Sequence, residues 1–451
     1  LPILELHWQS GAVRKSPVKE VSVVAVNKRS GAIAGRVLVL RERNFRRFFV
    51  GYVTSLFGTS MSSVAVAFAV LDSGGSASDL GYVFAAGIVP QVLFMLGGGV
   101  IADRLGRRPV MLTADAARCC SQGALAAALL LGRPQIWVFV VLAAILGTGD
   151  AFFGPALAAL TVEIAPRDEL GNANALLGLA QSAARVAGPA LAGILVAITG
   201  PGVVVAADAS TYAVSVLALS MLRLPGSLRV PARPLLRELA EGWSEFRSRT
   251  WLWVGTVQFA LFNLIVWGPY LLLGPVLSQQ YLGGARAWGT IMAAYGAGAI
   301  VGGLLALGRK PRHPLVVATV ATFGYPAPCL LFALQAPVLA VAAGALAAGA
   351  GSAIGMTFGA TTQQQQVPAA ALARVSAFGT VGAFGFGPLA FAAAGPVAAV
   401  VGARTVLAFG AAWGILSSAV VLAVPAVRSV TWKSSAPDEQ LDGTPTEPRT
   451  V

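Results

Sequence analysis

Charge is what this 451-residue chain has least of: 11% of its residues are Asp, Glu, Lys or Arg, against 56% hydrophobic. Soluble globular chains carry roughly a quarter charged residues. So few charges cannot cover a water-facing surface on a chain of this length, which excludes a soluble globular protein. Cysteine is scarce too. Cys119 and Cys120 are adjacent, Cys329 is remote, and all three fall in apolar segments, so neither a disulfide framework nor a metal site is indicated. His7 and His313 are both peripheral and suggest neither metal binding nor histidine-based catalysis. No Gly-x-x-x-x-Gly-Lys loop exists, and Gly349-Ala350-Gly351 with Gly355 lies inside an apolar run at the wrong spacing, so nucleotide-driven work is not indicated. We expect no enzyme, no cofactor and no bound metal. The net charge of +13 belongs to no soluble basic domain with interleaved aromatics, which argues against nucleic acid as a partner.

Long apolar runs are what the chain does have, with 52 Gly and 26 Pro among its residues. Both residue types are commoner in transmembrane helices than in soluble ones, and a spanning helix needs about 20 largely apolar residues. The sequence predicts spans near 48–71, 80–101, 109–131, 136–162, 172–198 and 203–222. After a polar stretch it predicts six more, near 252–277, 287–308, 315–335, 337–362, 374–400 and 403–425. The expected fold is an all-α membrane protein of twelve transmembrane helices in two pseudo-symmetric six-helix bundles. Its divisions are a basic tail over 1–45, a bundle over 46–222, a linker over 223–250, a second bundle over 251–427 and a disordered tail over 428–451.

Lys and Arg in alternate loops orient the chain. Of 32 such residues, 27 fall on the side that holds both termini. Arg133, Arg286 and Arg404 fall on the other side, and Arg118 and Arg185 lie inside spans. Both termini are therefore expected in the cytoplasm. Arginine far outnumbers lysine and alanine and glycine abound, a composition associated with GC-rich bacteria, so the expected location is a bacterial cytoplasmic membrane, multi-pass. In the linker, Leu235, Leu236, Leu239, Trp243 and Phe246 recur at helical spacing among charged residues, which predicts an amphipathic helix lying on the membrane.

The halves carry a weak internal repeat. Ala165-Pro166 through Leu170 and Ala175 matches Val367-Pro368 through Leu372 and Ala377, Gly81 with Ala85-Ala86 matches Gly289 with Ala293-Ala294, and Gly188-Pro189 recurs as Gly387-Pro388. Recurrence of proline and Gly-Pro at corresponding places favours duplication over chance repetition of small residues.

Between the second and third spans the chain reads Gly99-Val100-Ile101-Ala102-Asp103-Arg104-Leu105-Gly106-Arg107-Arg108. Physically, a carboxylate at a helix end among cations needs a partner, and Arg107 can reach Glu163 at the end of span four, forming a latch. The loop resembles the signature Gly-x-x-x-Asp-Arg-x-Gly-Arg-Arg/Lys of the major facilitator superfamily, in the position where that family carries it. In span five, Gly188, Pro189 and Gly193 resemble the Gly-Pro helix-kink motif of proton-coupled antiporters, with Ala192 in place of one expected glycine. Asn44-Phe45-Arg46, Ala114-Asp115, Ala151 through Ala156 and Asn172-Ala173-Asn174-Ala175 resemble the macrolide-efflux and enterobactin-exporter branch. The resemblance implies a secondary transporter that exports a small amphipathic compound by proton antiport, two halves rocking about a midplane site, with Gly99, Asp103, Arg104, Gly106, Arg107, Arg108 and Glu163 as the conformational latch. The partners expected are a small-molecule substrate, protons and the lipid bilayer, with the chain a monomer. An importer of the same fold, or a membrane sensor or scaffold that transports nothing, is the alternative.

Ionisable residues within a membrane are expensive and hence functional candidates. They are Asp115 and Arg118 in span three, Asp150 in span four, Arg185 in span five and Asp208 in span six, all in the first half. Asp115 and Arg118, three apart, can pair with each other. Asp150 has no partner on its own helix, and Arg185 at comparable depth is expected to be its counter-ion. A carboxylate so placed is suited to binding and releasing a proton. The second half offers neutral candidates for the substrate cavity: Gln258, Phe262, Asn263, Trp267 and Tyr295.

Overall fold

A computed structural model of the chain describes residues 39–166, 169–222, 243–368, 371–372, 375–376, 378–379, 382 and 385–432, with the side chains of 95–100 and 102–104 left outside that description. Within it the regular elements are helices. The first six are α1 (Arg43–Asp72), α2 (Ala77–Leu105), α3 (Arg107–Leu131), α4 (Ile136–Ile164), α5 (Leu170–Thr199) and α6 (Pro201–Ser220). The second six are α7 (Thr250–Leu282), α8 (Ala285–Ala306), α9 (Pro314–Ala333), α10 (Val338–Gln366), α11 (Gly387–Val401) and α12 (Ala403–Ala423). Each predicted span thus meets a helix, and ten of the helices are long and apolar enough to cross a bilayer. The other two are α3, whose hydropathy is lowered by Asp115, Arg118 and Gln122, and α11, where the described helix has 15 residues.

Local chemistry sets the helix ends. Ser76 and Asp79 form a reciprocal capping box that starts α2. Gly106 makes the tight turn from α2 to α3 at φ +92°, a conformation that costs a residue with a Cβ. Gly200 and Gly402 open α6 and α12 at φ +82° and +89°. They share the spacing that separates Pro166 from Pro368, and the residues before those prolines end α4 and α10 in the same extended conformation. The repeat read in the sequence is therefore also a repeat of backbone geometry.

Two spans are not plain α-helix. α7 contains π-turns at Asn263–Trp267 and Ser278–Leu282. α9 is interrupted by a 3₁₀ turn at Thr322–Gly324, just before Pro326, which has no N–H for an i−4 carbonyl.

Exposed leucines, isoleucines and valines line the outside, Leu131 and Val400 among the most exposed, as lipid permits. Lipid tails give helices no hydrophobic reason to associate, so packing depends on small residues that let backbones approach. A Cβ on Gly147 would fall on the carbonyl of Gly87, and one on Gly298 on that of Leu346. The halves meet in two pseudo-equivalent places. Gly81 and Gly395 of α2 and α11 abut Phe391 and Ala77 respectively, while Gly193 of α5 abuts Gly289 of α8 and Val186 abuts Gly296. Exchanging the halves converts one contact into the other. All these contacts lie between mid-depth and the face opposite the termini, where Gln279 also donates to Asp72 at 3.4 Å.

Residues 223–242 of the predicted membrane-surface helix lie outside the description. Over 243–247, Trp243 stacks on Phe246, and both rings meet Phe378 at a tilt.

Candidate functional site

The site is built around Arg118, one guanidinium held inside the first bundle. Its Nη1 lies 3.3 Å from Asp150 Oδ1 and its Nη2 3.4 Å from Asp115 Oδ1, and the side chain is 6% exposed. The guanidinium also sits over the rings of Phe153 and Tyr212, at 4.3 and 5.2 Å from their centroids. Arg118 reaches α4 because Gly149 has no side chain; a Cβ there would be 2.7 Å from Arg118 Cγ. Asp115 is fully buried and accepts a second bond from Ser215 Oγ at 2.6 Å. A buried charge removed from water is tolerable when it has a partner: Arg118 supplies the opposite charge to both carboxylates, and Ser215 supplies Asp115 with its hydrogen bond.

Here the structure corrects one expectation. Asp150 pairs with Arg118, not with Arg185. Helix rotation decides partners as much as position along the span, and Arg185 lies exposed on α5. Asp150 differs from Asp115 in access. Its side chain is 30% exposed and borders a cavity of about 180 Å³ lined by Thr59, Ser62, Ser63, Gln91 and Gln122, among others. That cavity lies among α1, α2, α3 and α4, inside the first bundle.

Asp208 is fully buried beside Thr211, against the bare Cα of Gly58. One turn on, Tyr212 shares a 2.7 Å hydrogen bond with Thr59 while its ring faces Arg118. Tyr212 and Ser215 went unread in the sequence, although with Asp208 they fall at i, i+4 and i+7 on one face of α6, a periodicity that marks them.

At the face of the termini, Arg107 Nη1 donates to Glu163 Oε2 at 3.2 Å and to the Ala159 carbonyl at 3.1 Å. Arg108 donates to the carbonyls of Leu219 and Ser220, and Arg47 to that of Met221, so two cations satisfy the end of α6. The α3–α4 and α3–α6 ties all lie within the first bundle. The side chains of Asp103 and Arg104, with Gly99, lie outside the described residues.

In α5, Gly188 abuts Ser60 and Gly193 abuts Gly289, with Pro189 inside a continuous helix. In the second half, Phe262, Trp267, Tyr295 and Tyr325 form one aromatic cluster, with ring centroids 4.6 to 5.8 Å apart. Asn263 donates to the Phe259 carbonyl of its own helix, and Gln258 to Ser418 at 3.4 Å. Tyr325 joins this cluster from α9 and was not anticipated. A separate cleft of about 1060 Å³ opens at the face opposite the termini, between Ser76 on one side and Gln280 and Arg404 on the other. The described cysteines are free, and no cluster of His, Cys, Asp or Glu suited to a metal occurs among the described residues.

Two repeated six-helix bundles that touch through small residues, one enclosing a paired charge cluster and the other an aromatic one, define a polytopic membrane transporter. The chain belongs to the major facilitator superfamily, whose family model matches residues 48–392. Among curated relatives, macrolide efflux protein A of Streptococcus pyogenes is 25% identical over 288 residues, 62% of this chain and 71% of that protein. The multidrug efflux pump Tap of Mycolicibacterium fortuitum is 28% identical over 366 residues, 78% of this chain and 88% of that one. The solved structure of the nucleoside transporter NupG superposes with a TM-score of 0.62 at 15% identity, covering 85% of this chain and 98% of that one. A bacterial homologue of the human lysosomal transporter Spinster, inward-facing and unoccupied, gives 0.60 at 14% identity, covering 87% and 98%. At these identities the structural likeness speaks to the fold.

Proposed function

We propose that this protein is a secondary exporter that expels a small amphipathic compound from a bacterial cytoplasm in exchange for protons, as a monomer with both termini in the cytoplasm. The single observation that carries the proton half of this reading is the asymmetry of the two carboxylates on Arg118. Asp115 is sealed, paired with Arg118 and hydrogen-bonded to Ser215, whereas Asp150 shares the same guanidinium and also borders a cavity. A proton arriving at Asp150 weakens its attraction to Arg118 and so changes the tie between α3 and α4, which is how a titrating group biases a two-state element. Export is supported by the two efflux relatives, which cover most of their own length. With the halves in contact toward the face opposite the termini, the rocking motion exposes the midplane alternately to each side. The Arg107–Glu163 tie keeps the first bundle rigid during that motion, and the aromatic cluster with Gln258 and Asn263 forms the second-half wall of the substrate cavity.

The test is accumulation of a panel of dyes and antibiotics in a pump-deleted bacterial strain expressing the chain or its Asp150→Asn variant, with and without a protonophore. The chain lowers accumulation, the protonophore reverses this, and Asp150→Asn abolishes it at equal expression. Undiminished uphill export by Asp150→Asn would remove that residue from the coupling.

A further inference from the structure

Arg185 is the ionisable group within a span that neither the charge cluster nor the latch uses. The geometry of α5 fixes where it points. Gln181 and Gly188 face α1, through a 2.9 Å bond from Gln181 Nε2 to Tyr52 Oη and through the contact with Ser60. Val186 and Gly193 face α8, through Gly296 and Gly289. At 3.6 residues per turn, Arg185 lies on the arc between these two directions, with Ser182 and Pro189. The opposite arc carries the exposed Leu179, Leu191, Ile194 and Ile198, which makes it the lipid side. Arg185 therefore projects between α1 and α8 into the space enclosed by the two halves, and it is exposed there.

Its charge has no counterpart among the described residues. Arg185 forms no ion pair among the described residues, since Asp115 and Asp150 are both engaged by Arg118 and Glu163 by Arg107. The facing half cannot provide one either: between Glu245 and Asp438 the sequence contains no acidic residue. Because Val186 packs on Gly296, the neighbours Arg185 and Tyr295 lie at the same depth. Tyr295 belongs to the aromatic cluster with Trp267 and Tyr325. An exposed guanidinium and an aromatic surface thus share one level of the enclosed space. An unpaired cation at mid-membrane is expensive, and a planar guanidinium suits bidentate capture of an oxyanion.

We propose that Arg185 is the anion-recognition group of the central cavity, and that the substrate is an amphipathic organic anion, its carboxylate or sulfonate on Arg185 and its apolar ring body against Trp267 and Tyr295. This deepens the export reading and rests on it for the word substrate. Moving an anion outward while a proton enters would carry two positive charge equivalents inward per cycle, so an inside-negative potential would help drive it.

The experiment uses the full chain in nanodiscs and equilibrium binding of cholate and pyrenebutyrate, each beside its uncharged methyl ester, with tetraphenylphosphonium as the cationic control. Wild type binds the anions in preference to the esters and the cation. Arg185→Gln weakens anion binding by about tenfold or more, the scale of a lost charge-assisted pair, and leaves the esters unchanged; Arg185→Lys retains part of the preference. Equal weakening for anion and ester would reveal a structural role and overturn the proposal. So would preference for tetraphenylphosphonium, or no binding of either anion. Proteoliposome transport of the same probes separates the two readings. Arg185-dependent binding without transport under any gradient keeps the anion site and removes export. Proton-driven transport of tetraphenylphosphonium, unaltered in Arg185→Gln, keeps export and removes the anion site.

Discussion

The two halves share a backbone plan and differ in what they put inside it. The first places Asp115, Arg118, Asp150 and Asp208 among α3, α4 and α6. The second holds the cluster of Phe262, Trp267, Tyr295 and Tyr325, and its sequence from 251 to 427 has no acidic residue. The loop after the second helix diverges the same way: Gly98-Gly99-Val100-Ile101-Ala102 continues into Asp103-Arg104, whereas Gly302-Gly303-Leu304-Leu305-Ala306 continues into Leu307-Gly308. The halves share the small residues that let helices touch and differ in the ionisable ones. The lesson is that packing is the symmetric property of this molecule and charge the asymmetric one, so buried charge and aromatic contact are assigned to different halves.

The largest expected effect comes from removing the centre of the charged half. Arg118→Leu leaves Asp115 fully buried without its cation, and breaking a buried pair in this way costs roughly 3–5 kcal/mol. The variant should unfold at markedly lower temperature in detergent, or fail to accumulate as a monodisperse species. A wild-type melting curve would mean that the cluster does not hold the first bundle together. In the aromatic half, Trp267→Ala should cost less, roughly 1–3 kcal/mol, because the ring is only partly buried and its neighbours remain. The loss should appear as weaker binding of an aromatic probe together with a modest drop in melting temperature.

The symmetric property can be tested where the halves meet. Gly193→Val would place a Cβ 2.4 Å from the Gly289 Cα and should force the halves apart at that face. Distance measurements between spin labels near Ser76 and Val400 should lengthen by several ångströms, on the order of the displacement a side chain imposes on close-packed backbones. Unchanged distances would show that the contact is not what keeps that face shut. The smallest effect belongs to Gln258→Leu. It loses one 3.4 Å bond to Ser418, which keeps its partner Thr322 at 2.8 Å, and stability should move by about 1 kcal/mol or less.

Much of this was legible in the chain itself. Apolar run length determined the twelve helices, because a bilayer accepts only segments that satisfy their own backbone. The loop from Gly99 to Arg108 marked the family, and the Arg107–Glu163 contact followed from two charges at adjacent helix ends. Asp115, Arg118, Asp150, Arg185 and Asp208 also stood out in the sequence, because charge in an apolar run is conspicuous. Their pairing was not determined. Asp150 was assigned to Arg185 on depth alone, yet a difference of a few residues turns a helical side chain to another face, and only the packed bundle shows that Gly149 admits Arg118. The same rotation decided that Tyr212 and Ser215 complete the cluster, that the linker's last turn rests on Phe378, and that Arg185 faces the enclosed space. Sequence fixes how deep a residue sits in the membrane through its position along an apolar run. Which way it faces depends on how each helix rolls against its neighbours, and that is settled by contacts between segments far apart in the chain.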